Sequence, residues 1–453
     1  MIVIKFGGTS VGTADAIERA ARITQSRLAR RPVVVVSALG GTTDALLEIA
    51  DHAARGQLIG ALRRIEGVRE RHLAAAEHLL AGSPELDDVR CELSAHCDEL
   101  ASLAEALSVL GHATPRSCDA IAAYGEQLSS LLVVAAFRAS GLAAEHVDAR
   151  RVMITDGRFT CATPQTDAIA LGARAQVLPV VQSGRVPVLG GFIGATAHGV
   201  TTTLGRGGSD YSASLIGAAL DAEAIEIWTD VDGILTADPR VVDGAKLIAQ
   251  IRFDEAAELA SFGAKVLHPS TIAPAVRRGI PVFVYNSRRP EGTGTQIMAT
   301  VAPKPVRAIA GKGNVTIVKV NSSRMLLAHG FLRALFEIFE RQRTSVDVVA
   351  TSEVSVSVTV DDPSRLDALL VDLAALGDVS VERNRAIIAV VGGALGGSSR
   401  TMARALGALG DIPVHMISLS ATEINLTLIV DGSDLAPAMR ALHAAFFNTA
   451  GDA

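Results

Sequence analysis

The sequence has no uninterrupted apolar run of the roughly 18 residues that a membrane-spanning helix needs. Its start, MIVIKFGG, has no basic leader ahead of an apolar stretch, so no signal peptide is expected. Cysteine is scarce. Cys91, Cys97, Cys118 and Cys161 form no Cys-x-x-Cys pair and read as ordinary reduced thiols rather than metal ligands. Neither sign of charge dominates, with a formal net charge of −6, which argues against a general nucleic-acid binder. The spacing G-x-x-x-x-G-K-[ST] is also missing, which excludes a P-loop NTPase. These absences predict a cytoplasmic protein with no membrane or nucleic-acid partner and no resident metal site.

What is present is apolar material and a repeating order of elements. Nearly half of the 453 residues are hydrophobic, and that length suggests roughly two to four domains. Residues 2–6 are β-rich, a glycine loop follows, residues 14–28 carry helical spacing, and residues 33–36 are a β-branched run of the kind buried on both faces. Strand, loop, helix and buried strand predict a parallel βαβ unit. The basic cluster Arg27, Arg30 and Arg31 falls where that helix ends and reads as a solvated terminus. Residues 44–112 predict a helical excursion away from the sheet, and residues 119–139 a further helix. Residues 186–192 and 224–228 read as later buried strands, the second containing the single tryptophan, Trp228. Glu255 and Glu258 read as a solvated helix face. Pro303 and Pro305 flank Lys304 and mark a change of composition. Beyond them a βαββαβ-like pattern occurs twice.

Two glycine loops carry charge. Lys5-Phe6-Gly7-Gly8-Thr9-Ser10 joins a strand to a helix, where glycines let backbone amides approach phosphate oxygens and the helix start favours an anion. A tight turn alone would give the same pattern. Gly205-Arg206-Gly207-Gly208-Ser209-Asp210 also opens a helix, and either Ser209 or Asp210 would serve equally as its N-cap. Two such loops at strand–helix junctions say more than one, because open α/β sheets bind ligands at the carboxyl ends of their strands.

With Val36-Ser37-Ala38 and Tyr124-Gly125-Glu126 between these two loops, and Thr229-Asp230-Val231-Asp232, Asp238-Pro239-Arg240 and Phe262-Gly263-Ala264-Lys265-Val266-Leu267-His268-Pro269 after them, the series resembles the aspartate kinases of the amino-acid kinase superfamily over almost the whole chain. The resemblance implies a three-layer αβα kinase domain with a mainly parallel sheet at residues 1–298. Two α+β ferredoxin-like ACT domains would follow at about 306–385 and 386–453, with interleaving left open. It implies transfer of the ATP γ-phosphoryl group, with Mg2+, to the side-chain carboxylate of L-aspartate. By position, Lys5 and Asp210 would be the catalytic pair. Ser37, Thr43, Glu126, Arg206 and Ser209 would contact aspartate. Lys5, Gly7, Gly8, Thr229, Asp230, Arg240, Lys265 and Val266 would hold the nucleotide. Family members often have Tyr where this chain has Leu235.

The paired modules resemble the effector-binding ACT domains of lysine-sensitive members. That likeness places an amino-acid effector, lysine first, at Met325, Phe331, Leu332, Ser345, Val346, Asp347, Ser352, Glu353 and Val354, and implies a homodimer or tetramer joined through these modules. The family often has Ser where this chain has Ala328. Rival readings are a kinase for another acceptor (glutamate, acetylglutamate or a nucleotide monophosphate), a non-enzymatic amino-acid sensor, and an aspartate kinase dedicated to a specialised product.

Overall fold

The computed structural model describes residues 1–262, 269–326, 329–393, 395 and 397–448. Lys265, Val266, His268 and Ala328 therefore lie outside the described residues. The chain divides into two compact units: Met1–Ile234 with Ala249–Phe253 and Val266–Thr300, and Leu235–Ile248 with Asp254–Lys265 and Val301–Ala453.

The first unit is built on an eight-stranded sheet. Its strands are β1 (Ile2–Phe6), β2 (Pro32–Val36), β3 (Ala144–His146), β5 (Val186–Gly190), β8 (Ala224–Thr229), β9 (Gln250–Arg252), β10 (Val282–Asn286) and β11 (Thr295–Met298). The remaining three, β4 (Ile154–Thr155), β6 (Ile193–Thr196) and β7 (Thr201–Thr203), make a small separate sheet. The large sheet runs β3-β5-β2-β1-β8-β10-β11-β9, and every pairing is parallel except β10 with β11. Strands β1, β2 and β8 are buried without alternation because helices cover both faces. Ile2, Ile4 and Phe6 face one helical layer, with α1 (Ala14–Ser26) and α6 (Tyr124–Ala139). Val3 and Ile225 face the other layer, where Gly217 of α7 (Gly208–Ala219) brings its helix close: a Cβ there would lie 2.8 Å from Ile225 Cδ1.

The predicted excursion is three helices, α2 (Thr42–Ala54), α3 (Leu58–Leu79) and α4 (Leu86–Leu110), whose buried faces join the same core as α1 and α6. The helix expected over 119–139 is two, α5 (Pro115–Ala122) and α6. The stretch Pro115–Ala139 is long and apolar enough to cross a membrane, but 83% of its apolar window is buried in the unit, so it serves here as core. The arginines at the end of α1 are not simply solvated. Arg27 and Arg30 donate to Glu226, a carboxylate 1% exposed in β8 that also accepts from Trp228 Nε1 at 3.2 Å.

The second unit holds a six-stranded antiparallel sheet: β13 (Val349–Thr351), β14 (Ser355–Val360), β12 (Ala308–Asn321), β15 (Asp378–Val391), β17 (Asn425–Asp431) and β16 (Met416–Leu419) in spatial order. Strands β12 and β15 are long because each serves two cores. Ile309, Ile388 and Val390 pack with Leu428 and Met439, while Val318, Val320 and Val381 pack with Leu335, Val358 and Leu369. The core at the C-terminal end thus draws its first strand from residues 308–312, and the two modules interleave. Glu255 is not on a solvated face. It is fully buried, pairs with Arg307 at 3.4 Å, and has Glu258 nearby on the same helix accepting from Asn425 Nδ2.

Candidate active site

The site stands at the carboxyl ends of β1, β2 and β5. Lys5 lies one residue from the end of the central strand, in register with Val35 and Ile227. Its Nζ is 2.6 Å from Asp210 Oδ1, and the two side chains are 10% and 13% exposed. Gly7 turns the chain: its N–H donates to the Trp228 carbonyl at 3.0 Å, and a Cβ there would lie 3.5 Å from Lys5 Nζ. Gly8 meets the loop after β2, where a Cβ would sit 3.0 Å from the Ala38 oxygen. The Gly40 N–H donates to the Gly8 carbonyl, and Arg71 of α3 donates to the carbonyls of both Gly12 (2.9 Å) and Gly40 (2.7 Å).

The second loop leaves β7. Gly205 (φ 76°) and Gly207 (φ 71°) take left-handed conformations that a side chain disfavours, and α7 begins at Gly208. Asp210 is therefore in the helix's first turn, where a carboxylate suits the dipole. Gly191 backs this start closely: a Cβ there would be 2.7 Å from Ser209 Cβ.

Glu126 projects from the first turn of α6 and is 3% exposed. Its Oε1 accepts from the Ala38 N–H at 3.1 Å, and Oε2 has no hydrogen-bond partner among the described residues. Burial pushes this carboxyl up to about 8; the Ala38 N–H, its own backbone and the charge of Lys5 hold it below what burial alone would give.

Lys5, Gly8, Ser37, Thr43, Glu126, Arg206, Ser209 and Asp210 line one cavity of about 640 Å³, a volume suited to a small-molecule site. Of the other expected residues, Thr229 and Asp230 sit at the exit of β8, where the Thr229 hydroxyl donates to Asp230 (3.3 Å), and are not in this wall. Arg240 belongs to the second unit and pairs with Asp238 at 2.7 Å. Asp232 accepts from Asn286 and Arg289. Trp228 is fully buried against Tyr285.

Sequence reasoning missed two residues of this site. Asp119 of α5 lines the cavity and is 1% exposed, accepting from the N–H groups of Thr160 (2.9 Å) and Thr203 (3.0 Å) and from the Thr203 hydroxyl (2.7 Å). Its signal is one acid in a helix turn followed by Ala120, Ile121, Ala122 and Ala123. Arg71 lies in a polar helix face that gives no hint of its two carbonyl partners.

In the second unit, Met325, Phe331 and Val346 pack against the core around Leu335 and Val358. Leu332 and Val354 are exposed, as are Ser345 and Glu353. The Ser352 hydroxyl bonds that of Ser355 at 2.7 Å. Asp347 pairs with Lys312 at 3.3 Å, and Lys312 also reaches Asp361 at 2.5 Å.

The amino acid kinase family matches residues 1–286, and the ACT domain family matches residues 388–446. The chain is 40% identical to the lysine-sensitive aspartokinase 3 of Escherichia coli, across 99% of both chains. It is 36% identical to the chloroplastic aspartokinase 3 of Arabidopsis thaliana, across 99% of this chain and 82% of that one. Among solved structures, E. coli aspartokinase III in complex with aspartate and ADP superposes with a TM-score of 0.86 at 39% identity, covering 99% of this chain and 100% of that one. The same enzyme in complex with lysine and aspartate gives 0.83, covering 99% of each.

Proposed function

The chain belongs to the amino acid kinase family and, within it, to the aspartokinases, and on that premise we propose how its own residues work: Lys5 neutralises the transferring phosphoryl group while Arg206 and Glu126 hold aspartate by its backbone charges. The observation that carries this is the single cavity walled by Lys5, Asp210, Arg206, Ser209 and Glu126.

The attacking group is a carboxylate with an ordinary pKa of about 3.9, ionised at neutral pH, so the reaction needs no general base. The obstacle is repulsion between that carboxylate and the ATP phosphates, and positioning with charge neutralisation overcomes it. Lys5 supplies a fixed cation from the rigid central strand, and Asp210 holds its ammonium in place. Arg206 suits a bidentate grip on the α-carboxylate. The unpartnered Oε2 of Glu126 suits the α-ammonium group, since a buried carboxylate oxygen without a donor is unfavourable until a cation arrives. Together they leave the side-chain carboxylate free for in-line attack. Ser37, Thr43 and Ser209 add hydroxyls and N–H groups around it.

Thr229 and Asp230 are assigned to the nucleotide, with Gly7, Gly8 and Val266. No group of three or more His, Cys, Asp or Glu side chains converges among the described residues. Mg2+ would then be held mainly by phosphate oxygens, with Asp210 among the cavity carboxylates that could share it. When bound, the ion adds positive charge at the phosphates.

Lysine is the effector assigned to the site around Asp347, because Asp347 already holds an ammonium group, that of Lys312, and the E. coli relative is lysine-sensitive. Association through the β13 and β16 edges is supported by the exposure of Val349, Ile417 and Leu419 there. ADP release measured across aspartate, glutamate, acetylglutamate and nucleotide monophosphates tests the acceptor. Turnover with aspartate alone is expected, and equal turnover with another acceptor would overturn the assignment.

A further inference from the structure

The Asp119 carboxylate is nine-tenths or more withdrawn from solvent and spends both oxygens on donors from two other segments. Oδ2 accepts the N–H groups of Thr160 and Thr203, and Oδ1 accepts the Thr203 hydroxyl. Thr203 is held on its other side as well, its carbonyl accepting from the Ala162 N–H at 2.9 Å. Thr203 is the last residue of β7 and stands three residues before Arg206. Thr160 has φ 71°, an unfavourable conformation for a β-branched residue. Its carbonyl presses on the same loop: a Cβ on Gly205 would be 3.2 Å from it. On the Asp119 side the chain passes directly from α5 through Ala123 into α6, which presents Glu126 seven positions later.

One carboxylate thus ties the segment that carries Glu126 to the loop that carries Arg206. We propose that Asp119 is a positioning and specificity-determining residue of the phosphoryl transfer, setting the spacing between the side chains that hold the α-ammonium and α-carboxylate of aspartate. That spacing decides how far the side-chain carboxylate reaches toward the phosphate, and hence whether an acceptor one methylene longer is refused. Asn would preserve the shape: its amide oxygen accepts the two N–H groups, and its NH2 donates to the Thr203 hydroxyl, which can reverse. Ala removes the tether. The inference rests on the proposed roles of Arg206 and Glu126.

The experiment measures kcat and KM for aspartate, glutamate and ATP in full-length Asp119→Ala, Asp119→Asn and Thr203→Val, with Arg206→Ala as control. For Asp119→Ala we expect aspartate KM to rise about tenfold or more with ATP KM within about twofold. The preference for aspartate over glutamate should fall about tenfold, the range one methylene commands. Asp119→Asn should stay near wild type. Thr203→Val, which deletes one of the three bonds, should shift the same ratios less and reports even if Asp119→Ala does not fold. An unchanged aspartate-to-glutamate preference in the folded variants, or equal losses toward ATP and aspartate, would overturn the proposal. If Arg206→Ala leaves aspartate KM unaltered, the reading of the site fails instead.

Discussion

Lys5 Nζ and Asp210 Oδ1 lie 2.6 Å apart, joining the central strand to the first turn of α7 across a largely desolvated gap. A fixed cation in such a site stabilises charge that develops in the transition state. Lys5→Ala should therefore lower kcat by about 10²–10³-fold, with aspartate KM changed less than about threefold, because the substrate's backbone charges are held elsewhere. Asp210→Asn should lower kcat by less, since the lysine remains but loses its ionic anchor. A steady-state ADP-release assay reads both, and unchanged turnover in Lys5→Ala would remove that residue from the reaction.

Glu126 makes aspartate binding pH-dependent. Without substrate its carboxyl titrates near 8, raised by burial, whereas holding an ammonium group requires the ionised form. Binding at pH 7 should release close to one proton, and aspartate affinity should rise with pH toward about 8, by at most tenfold per unit. Stability without substrate runs the opposite way. The folded state binds more protons than the unfolded state between the unfolded pKa, near 4.5, and 8, so this group's contribution falls as pH rises through that window. Titration calorimetry in two buffers of different ionisation enthalpy counts the protons. Glu126→Gln should abolish the release and flatten the pH dependence.

Much of this site was legible in the sequence because its chemistry is local. Lys5 with Gly7 and Gly8, and Arg206 with Ser209 and Asp210, each sit at one strand–loop–helix junction, and the junction dictates where they point. The partners of buried charges are not local. Glu255 reads as solvated until Arg307 is found beside it, and the arginines ending α1 read as solvated until Glu226 appears on a strand about 200 residues away. The length of β12 and β15 was hidden for another reason. Polar middles, Lys312 to Asn314 and Glu382 to Arg385, interrupt the apolar pattern where one core hands over to the other.

Gly191 tests the packing behind the site. An added Cβ would fall 2.7 Å from Ser209 Cβ and 2.8 Å from Ser209 Cα, so the start of α7 must move. Gly191→Ala should destabilise the protein by about 1–3 kcal/mol through overpacking. It should also cost about 10²-fold in kcat/KM for aspartate, because a displacement of about 1 Å at reacting groups is that expensive. Thermal unfolding and kinetics on the same preparation separate the two effects. Wild-type kcat/KM would mean that the helix start yields without carrying Ser209 and Asp210 with it.

Lys312 bears on regulation. Its ammonium lies between Asp347 and Asp361, so the carboxylate assigned to an effector's ammonium is already paired within the chain. A free lysine must share or displace that contact. Lys312→Met keeps an apolar stem of similar length, removes the competing charge and leaves two carboxylates facing one another, an arrangement that favours an incoming cation. The lysine concentration that halves aspartate turnover should fall about tenfold, roughly one charge-assisted contact of about 1.4 kcal/mol. Asp347→Asn should raise it in both backgrounds. Equal lysine sensitivity with and without Lys312 would show that the pair plays no part in effector recognition. Insensitivity of both proteins to lysine, with threonine and methionine run in parallel, would assign the site to a different amino acid or to none.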